Sequence, residues 1–433
     1  MIESIYHLHP KKNWMNDPNG PMFLDGKLHM FYQYNPFGAE WGNMTWAHAV
    51  SPDMVHWTRL PHALHPDMPY DKDGVFSGCA VVVDGIPHII YTGVQPECQC
   101  LAIGDKEGMT FTKYEHNPIM PSKGLNGWRD PFVWRAEGEY RMALGAFKKG
   151  EGTWIEQYKS CDLIHWERMD DLIHSRDFVD DIMWECPNIL LGSGDAMAIV
   201  LSAVPSSEMR VVTGHYREGH FTADAMLLYD LGDSFYAPNT VNHPDGRQIQ
   251  FAWLREQGES TVRAAAGWQG VMSIPREVRL EAGVVRHRPA AEVALLRGAL
   301  LAEMHQQTVS GCADIGSGFA VELDMTLDAG AKCCLTMLGG VKLHVDGEAG
   351  KLRFEFGTAS GGKKRTLEAG FATDELLRLQ LYLDGTAIEL FVNQRESITT
   401  RAYPDGSDAA LSLCAEGEMT VHALTVYEMN SAY

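Results

Sequence analysis

The chain has no run of about eighteen apolar residues, so no helical membrane span is expected. Its opening, MIESIYHLHPKK, has no apolar core of the secretory type, so no signal peptide is expected. Positive charge is scarce: 36 Lys and Arg stand against 57 Asp and Glu, for a net charge of −21. Nucleic acids and anionic membranes both call for a positive face, so neither is expected as a partner. A neutral small molecule suits such a surface. Metal-type cysteine spacing is also missing. Cys98 and Cys100, and Cys333 and Cys334, form close pairs without a matching second pair at zinc spacing. The expectation is therefore no metal, and reduced thiols in a cytoplasmic protein.

A length of 433 residues, 45% hydrophobic and 21% charged, describes a globular chain too long for one ordinary core. One local pattern recurs, a turn with Asp or Gly followed by a short apolar strand. It appears in DGKLHMFYQ, DGIPHIIYTG, EGEYRMALGA, GSGDAMAIVLSA and DGRQIQFAWL. The turn glycines are Gly26, Gly85, Gly138, Gly194 and Gly246, separated by 59, 53, 56 and 52 residues. A second phrase repeats as SPDMVHW (51–57) and SCDLIHW (160–166). Repeats near fifty residues, built from strands and turns, mark a propeller, and five of them predict five blades. The composition changes after Pro289. PAAEVALLRGALLAEM (289–304) is rich in Ala and Leu and predicts a helical linker over 290–305. Alternating strands and a turn at Asp384-Gly385 follow, which predict a β-sandwich over 306–433. The fold expected is thus all-β, with a propeller over 1–289 and a C-terminal sandwich.

Propellers often bind ligands at the mouth of the central channel. Three acids stand at blade entrances beside Trp and Pro: Asp17 in NWMNDPNG, Asp130 in WRDPF and Glu185 in MWECPN. Carboxyls that converge without matching cations raise one another's pKa, the arrangement that keeps one acid protonated and another ionised. Glycoside cleavage uses such a pair. No Lys or Arg lies in 177–209, so Glu185 is expected in cation-poor surroundings with a raised pKa.

WMNDPNG, RDP and WECPN resemble the signature stretches of glycoside hydrolase family 32, the invertase and fructan hydrolase family. The similarity continues through YQYNP, WGNMTWAHAVSPDMVHW, FSGCA, FYAPN and GWQGVMSIPRE, in the family's order, over most of residues 6–290. LDGTAIELFVNQ extends it less specifically into the sandwich. The resemblance implies a retaining double displacement with no cofactor, with Asp17 as nucleophile, Glu185 as acid/base and Asp130 as stabiliser of the fructosyl transition state. It also implies that Asn16, Gln33, Trp41, Phe76, Ser77, Arg129, Tyr236 and Trp268 line the sugar pocket. Amides and hydroxyls suit sugar hydroxyls, aromatic faces suit sugar C–H surfaces, and Arg129 could hold Asp130 ionised. Cys186, beside the acid, is expected as a packed neutral thiol.

Three positions depart from the family pattern. Cys79 stands where Ser or Thr is usual, and Ser234 and Asn239 replace the usual Asp and Gln around FYA. These put substrate preference, more than reaction type, in doubt. The reading is a cytoplasmic β-fructofuranosidase that hydrolyses sucrose and short fructans, with a small sugar as its partner and its oligomeric state left open. Alternatives are a sucrose-6-phosphate hydrolase, a fructosyltransferase, a non-catalytic fructan-binding protein and an inverting arabinan-type hydrolase. The intact acid trio argues against the binder, and WMNDPNG argues against the last.

Overall fold

The structure is a computed structural model that describes residues 2–175, 183–257, 267–357, 364–404, 406 and 408–433. Regular structure among them is almost entirely strand. Five antiparallel sheets stand around an axis. Their innermost strands are Asn13–Leu24, Gly74–Val83, Gly127–Ala136, Met183–Leu191 and Phe235–Asn242. Each packs against the next, and the fifth packs against the first. Blades stack face to face, so their second strands are buried on both sides. That is why HIIYTG and MAIVLSA read as continuous apolar runs instead of alternating ones.

The recurring turn is the hairpin between first and second strands of each blade. Its five glycines have φ between +70° and +93°, a region open to Gly at no steric cost. The second repeated phrase is also structural. In it Asp53 Oδ1 accepts from the N–H groups of Val55 and His56 at 3.1 and 2.8 Å. Asp162 Oδ1 does the same with Ile164 and His165 at 2.9 and 2.8 Å. Each builds the turn between third and fourth strands of its blade, in blades 1 and 3.

The ring closes through a short parallel pairing, Asn13 with Trp268 and Trp14 with Gln269. Gly270 follows at φ +91°, where a Cβ would lie 1.8 Å from the Met15 carbonyl oxygen.

The helix expected over 290–305 is not formed. Only a 3-10 turn, Ala291–Leu296, appears, with Val293 and Leu296 buried. From Arg297 the chain enters a strand, Arg297–Ser317, paired along Ala410–Met429. Helix propensity is a weak prior, and pairing with a long ready-made strand overrides it. Ala410–Met429 also joins the two layers of the sandwich. Residues 412–415 pair with 333–336, and 421–428 with 321–327. The nearly closed sandwich is filled by Leu, Val and Met from both faces.

The expectation of thiols throughout needs correction. Cys312 and Cys414, directly opposite on adjacent strands, form a disulfide. The sequence separation of 102 residues hid the pair. The other seven cysteines are free.

Propeller and sandwich share a core that joins Tyr6, Met15, Phe251 and Ile274 to Tyr382, Phe391 and Met429. A buried ionic chain crosses the same interface. Arg276 pairs with Glu389 and Asp230, and His7 bridges Glu389 and Asp384 at 2.9 and 2.8 Å. Asp384 also accepts the N–H groups of Ile5, Tyr6 and His7, so it pins the N-terminal segment to the sandwich. Burial alone would lower the His7 pKa. The hydrogen bonds to Asp384 and Glu389 more than offset it and raise it to about 9.

Candidate active site

In every blade the first strand bulges at the same level, to within one residue. Two residues there stand opposite one: Asn16 and Asp17 in blade 1, Phe76 and Ser77 in blade 2, Asp130 and Pro131 in blade 3. Cys186 and Pro187 do so in blade 4, and Ala237 and Pro238 in blade 5. A bulge twists the strand and frees a residue from the ladder, and Pro, with no N–H to donate, suits it. Asp130, Cys186 and Ala237 take left-handed backbone, at φ +66°, +48° and +48°. Such strain in residues other than Gly collects at functional sites.

The bulges stack three tiers down the axis. The upper tier is Asn16, Phe76, Arg129, Glu185 and Tyr236. The middle is Asp17, Ser77, Asp130, Cys186 and Ala237. The floor is Pro18, Gly78, Pro131, Pro187 and Pro238. The acids lie within the innermost strands, each ahead of the repeated second strand of its blade.

Upper and middle tiers, apart from Ala237, line one cavity of about 310 Å³, completed by Gln33, Trp41, Met44 and Trp253. Of the residues named from sequence, Asp17, Asp130, Glu185, Asn16, Gln33, Trp41, Phe76, Ser77, Arg129 and Tyr236 all meet there. Trp268 does not. It is buried in the ring closure with its ring centroid 4.7 Å from that of His9. Met44, Trp253 and Cys186 were missed as lining residues. Cys186 was readable: the middle-tier residues before each Pro or Gly recur at intervals of 60, 53, 56 and 51 residues. Trp253 is next to last in the fifth repeat and had no acid to flag it.

Asp17 Oδ1 accepts Asn16 Nδ2–H at 3.0 Å, and its Oδ2 accepts Ser77 Oγ–H at 2.7 Å. Burial raises its pKa against these two hydrogen bonds, which favour the charged form. Asp130 Oδ2 accepts the Cys186 N–H at 3.0 Å and its thiol at 3.5 Å. Burial raises Asp130 to about 7; the charge of Arg129 pulls the other way and is outweighed. The Cys186 sulfur also lies 3.8 Å from Asp17 Oδ2. Burial and then the carboxyls around it push this thiol well up, so it stays neutral, as expected.

The hydrogen bonds of Arg129 go elsewhere than expected. Its Nε and Nη2 donate to Glu185 Oε1 at 3.0 and 2.5 Å, and its Nη1 donates to Glu97 Oε1 at 2.8 Å. Tyr236 Oη donates to Glu185 Oε2 at 2.8 Å. The surroundings of Glu185 are thus not cation-poor. The stretch 177–209, whose first six residues lie outside the described residues, has no Lys or Arg, but blade 3 supplies one.

Gln33 Oε1 is buried with no hydrogen-bond partner among the described residues. Trp41 is 60% exposed at the rim, edge-on to Phe76. Cys79 is buried in its blade, Ser234 bonds to Asp233, and Asn239 donates to the carbonyls of Pro18 and Gly78 below the floor, so none of the three touches the acids. Among the described residues no cluster of three or more His, Cys, Asp or Glu is placed to hold a metal ion.

A five-bladed propeller that brings three carboxyls, from the innermost strands of blades 1, 3 and 4, into one cavity fits a carbohydrate-cleaving class of enzyme. The comparisons name the family. Residues 7–289 match the glycosyl hydrolases family 32 N-terminal domain, and residues 344–428 match the family 32 C-terminal domain. The chain belongs to glycosyl hydrolase family 32. It is 32% identical over 440 residues to a raffinose invertase of Escherichia coli, covering 95% of this chain and 91% of the relative. It is 30% identical over 453 residues to a sucrose-6-phosphate hydrolase of the same organism, covering 96% and 92%. Its fold matches fructan 1-exohydrolase IIa from Cichorium intybus with a TM-score of 0.88 at 23% identity, covering 99% and 97%.

Proposed function

We propose that this enzyme is a retaining β-fructofuranosidase that releases the terminal fructosyl unit of sucrose and short fructans. The observation that carries the reading is the convergence of Asp17, Asp130 and Glu185 in one blind cavity. Its volume is at the small end for ligand pockets, about 300–1,000 Å³. The tier of four prolines and Gly78 closes it below, so a polymer cannot thread through and only a chain end fits.

In this reading Asp17 attacks the anomeric carbon of the fructosyl unit. Its hydrogen bonds from Asn16 and Ser77 leave a lone pair on each oxygen and favour the ionised form. Glu185 protonates the leaving oxygen, then takes a proton from water so that the fructosyl–Asp17 ester is hydrolysed. Asp130 accepts hydrogen bonds from sugar hydroxyls as positive charge develops on the ring. Gln33 Oε1 offers another acceptor, and Trp41 with Phe76 covers the apolar face of the sugar or its leaving group.

We further propose that residues 1–289 form the catalytic unit and that the enzyme is cytoplasmic. No helix among the described residues is long and apolar enough to cross a membrane. Disulfides persist mainly in oxidising compartments, so thiol titration of protein lysed under alkylating conditions tests the location. Cys312 and Cys414 found as alkylated thiols supports the cytoplasm; a preserved bond excludes it. Product analysis on sucrose, sucrose 6-phosphate, inulin and levan tests the activity. Free sucrose should be used at least as well as sucrose 6-phosphate, because the net charge of −21 repels a phosphosugar. A tenfold preference for the phosphorylated sugar reverses the ranking.

A further inference from the structure

Glu97 lies in the turn between strands Ile86–Val94 and Cys98–Gly104 of blade 2. No motif marks it, and it does not line the cavity. Yet it reaches across to the first strand of blade 3. Its Oε1 accepts Arg129 Nη1–H at 2.8 Å, and its Oε2 accepts the backbone N–H of Trp128. Two residues on, Gln99 Nε2 donates to the Trp128 carbonyl at 2.8 Å. The turn and the strand that follows it in blade 2 therefore hold both backbone groups of Trp128 and one end of the Arg129 guanidinium. The other end of that guanidinium holds Glu185. The three side chains are about equally and mostly buried, at 18–19% exposure, where charges are only weakly screened.

A guanidinium gripping a carboxyl through two N–H groups favours its ionised form. A general acid must instead carry a proton when the substrate binds. A second carboxylate on the same cation resolves the conflict, because it takes up part of the charge and fixes the guanidinium in place. We propose that Glu97 is a positioning residue for fructosyl transfer: through Arg129 it orients Glu185 while leaving that carboxyl able to hold the proton the leaving sugar needs. This rests on the reading of Glu185 as acid/base.

The test is Glu97→Gln, which keeps the length and the acceptor oxygen but removes the charge. The undivided charge of Arg129 then falls on Glu185. The alkaline limb of kcat/KM for sucrose moves to lower pH by about one unit, a loss of about tenfold on that limb, with KM changed less than twofold. Release of nitrophenolate from a nitrophenyl β-fructofuranoside, a leaving group that needs no proton, falls less than threefold and keeps its profile. Glu97→Asp retains the charge at shorter reach, so its sucrose limb stays at the wild-type pH while kcat for sucrose falls more than nitrophenolate release does. Should Glu97→Gln not fold, this preferential loss in Glu97→Asp decides. A wild-type limb in folded Glu97→Gln, or equal losses on both substrates in either variant, overturns the proposal. Glu185→Gln is measured alongside: if it slows the first step equally for sucrose and the nitrophenyl substrate, the acid/base reading itself has failed, whatever Glu97 does.

Discussion

Asp130 shows how the site sets function against stability. Its carboxyl is raised by burial to about 7, far above the ordinary aspartate value. A group raised on folding contributes stability that is fully present below its unfolded pKa, near 4, and lost as pH rises through the folded value. Above pH 7 the native fold therefore carries a buried carboxylate at a cost. Asp130→Asn should raise the Tm at pH 8 by about 2 °C or more, with little change at pH 4. It should also lower kcat on sucrose by roughly a hundredfold or more. Paired melting and kinetic measurements check this; an unchanged or lower Tm at pH 8 contradicts the assigned cause. The structure brings into one cavity the acids that stand beside Trp and Pro in the sequence. Reading from sequence failed for Glu97, in a turn with no motif of its own, and for Met44, which lies within WGNMTWAHAV but carries no polar group to flag it. It misassigned the partner of Arg129, because the cation needed by Glu185 comes from a strand 56 residues away.

At the scale of elements, the hairpins were legible because each needs a glycine at positive φ, and those glycines recur at blade spacing. The bulges left only a trace in the sequence, the Pro in or just after four of the five. The ring closure was not. Trp268 has the aromatic character of a pocket residue, and only the pairing of residues 13 and 14 with 268 and 269 gives it its place. The misread helix has a similar origin: Ala and Leu in 289–304 favour a helix locally, while the strand that captures them lies more than a hundred residues on. The closure gives a sharp expectation. Gly270→Ala places a methyl against the Met15 carbonyl in left-handed backbone. It should destabilise the protein by roughly 2–4 kcal/mol, read as a lower Tm. A wild-type Tm would mean that the closure is not under this constraint.

The whole molecule is held together by a shared apolar core and a buried ionic chain between propeller and sandwich. His7, raised to about 9 by Asp384 and Glu389, is its titratable link. Its contribution is fully present below pH 6.5 and is lost as pH rises toward 9. The Tm of the wild type should fall across that window. His7→Gln should melt lower at pH 6 and show a flatter dependence between pH 6.5 and 9. Equal slopes for the two proteins would remove His7 from the account of the interface.

The account turns on a covalent fructosyl–Asp17 ester released with the help of Glu185. The most direct measurement uses Glu185→Gln with a nitrophenyl β-fructofuranoside, followed by mass spectrometry of the digested protein and by product analysis with azide. Without its base the variant should form the ester and stall. One fructosyl unit should then appear on the peptide that carries Asp17, and azide should release it as the β-fructosyl azide. No adduct on that peptide, or an azide product of inverted configuration, would contradict the assignment of Asp17 as nucleophile and Glu185 as acid/base.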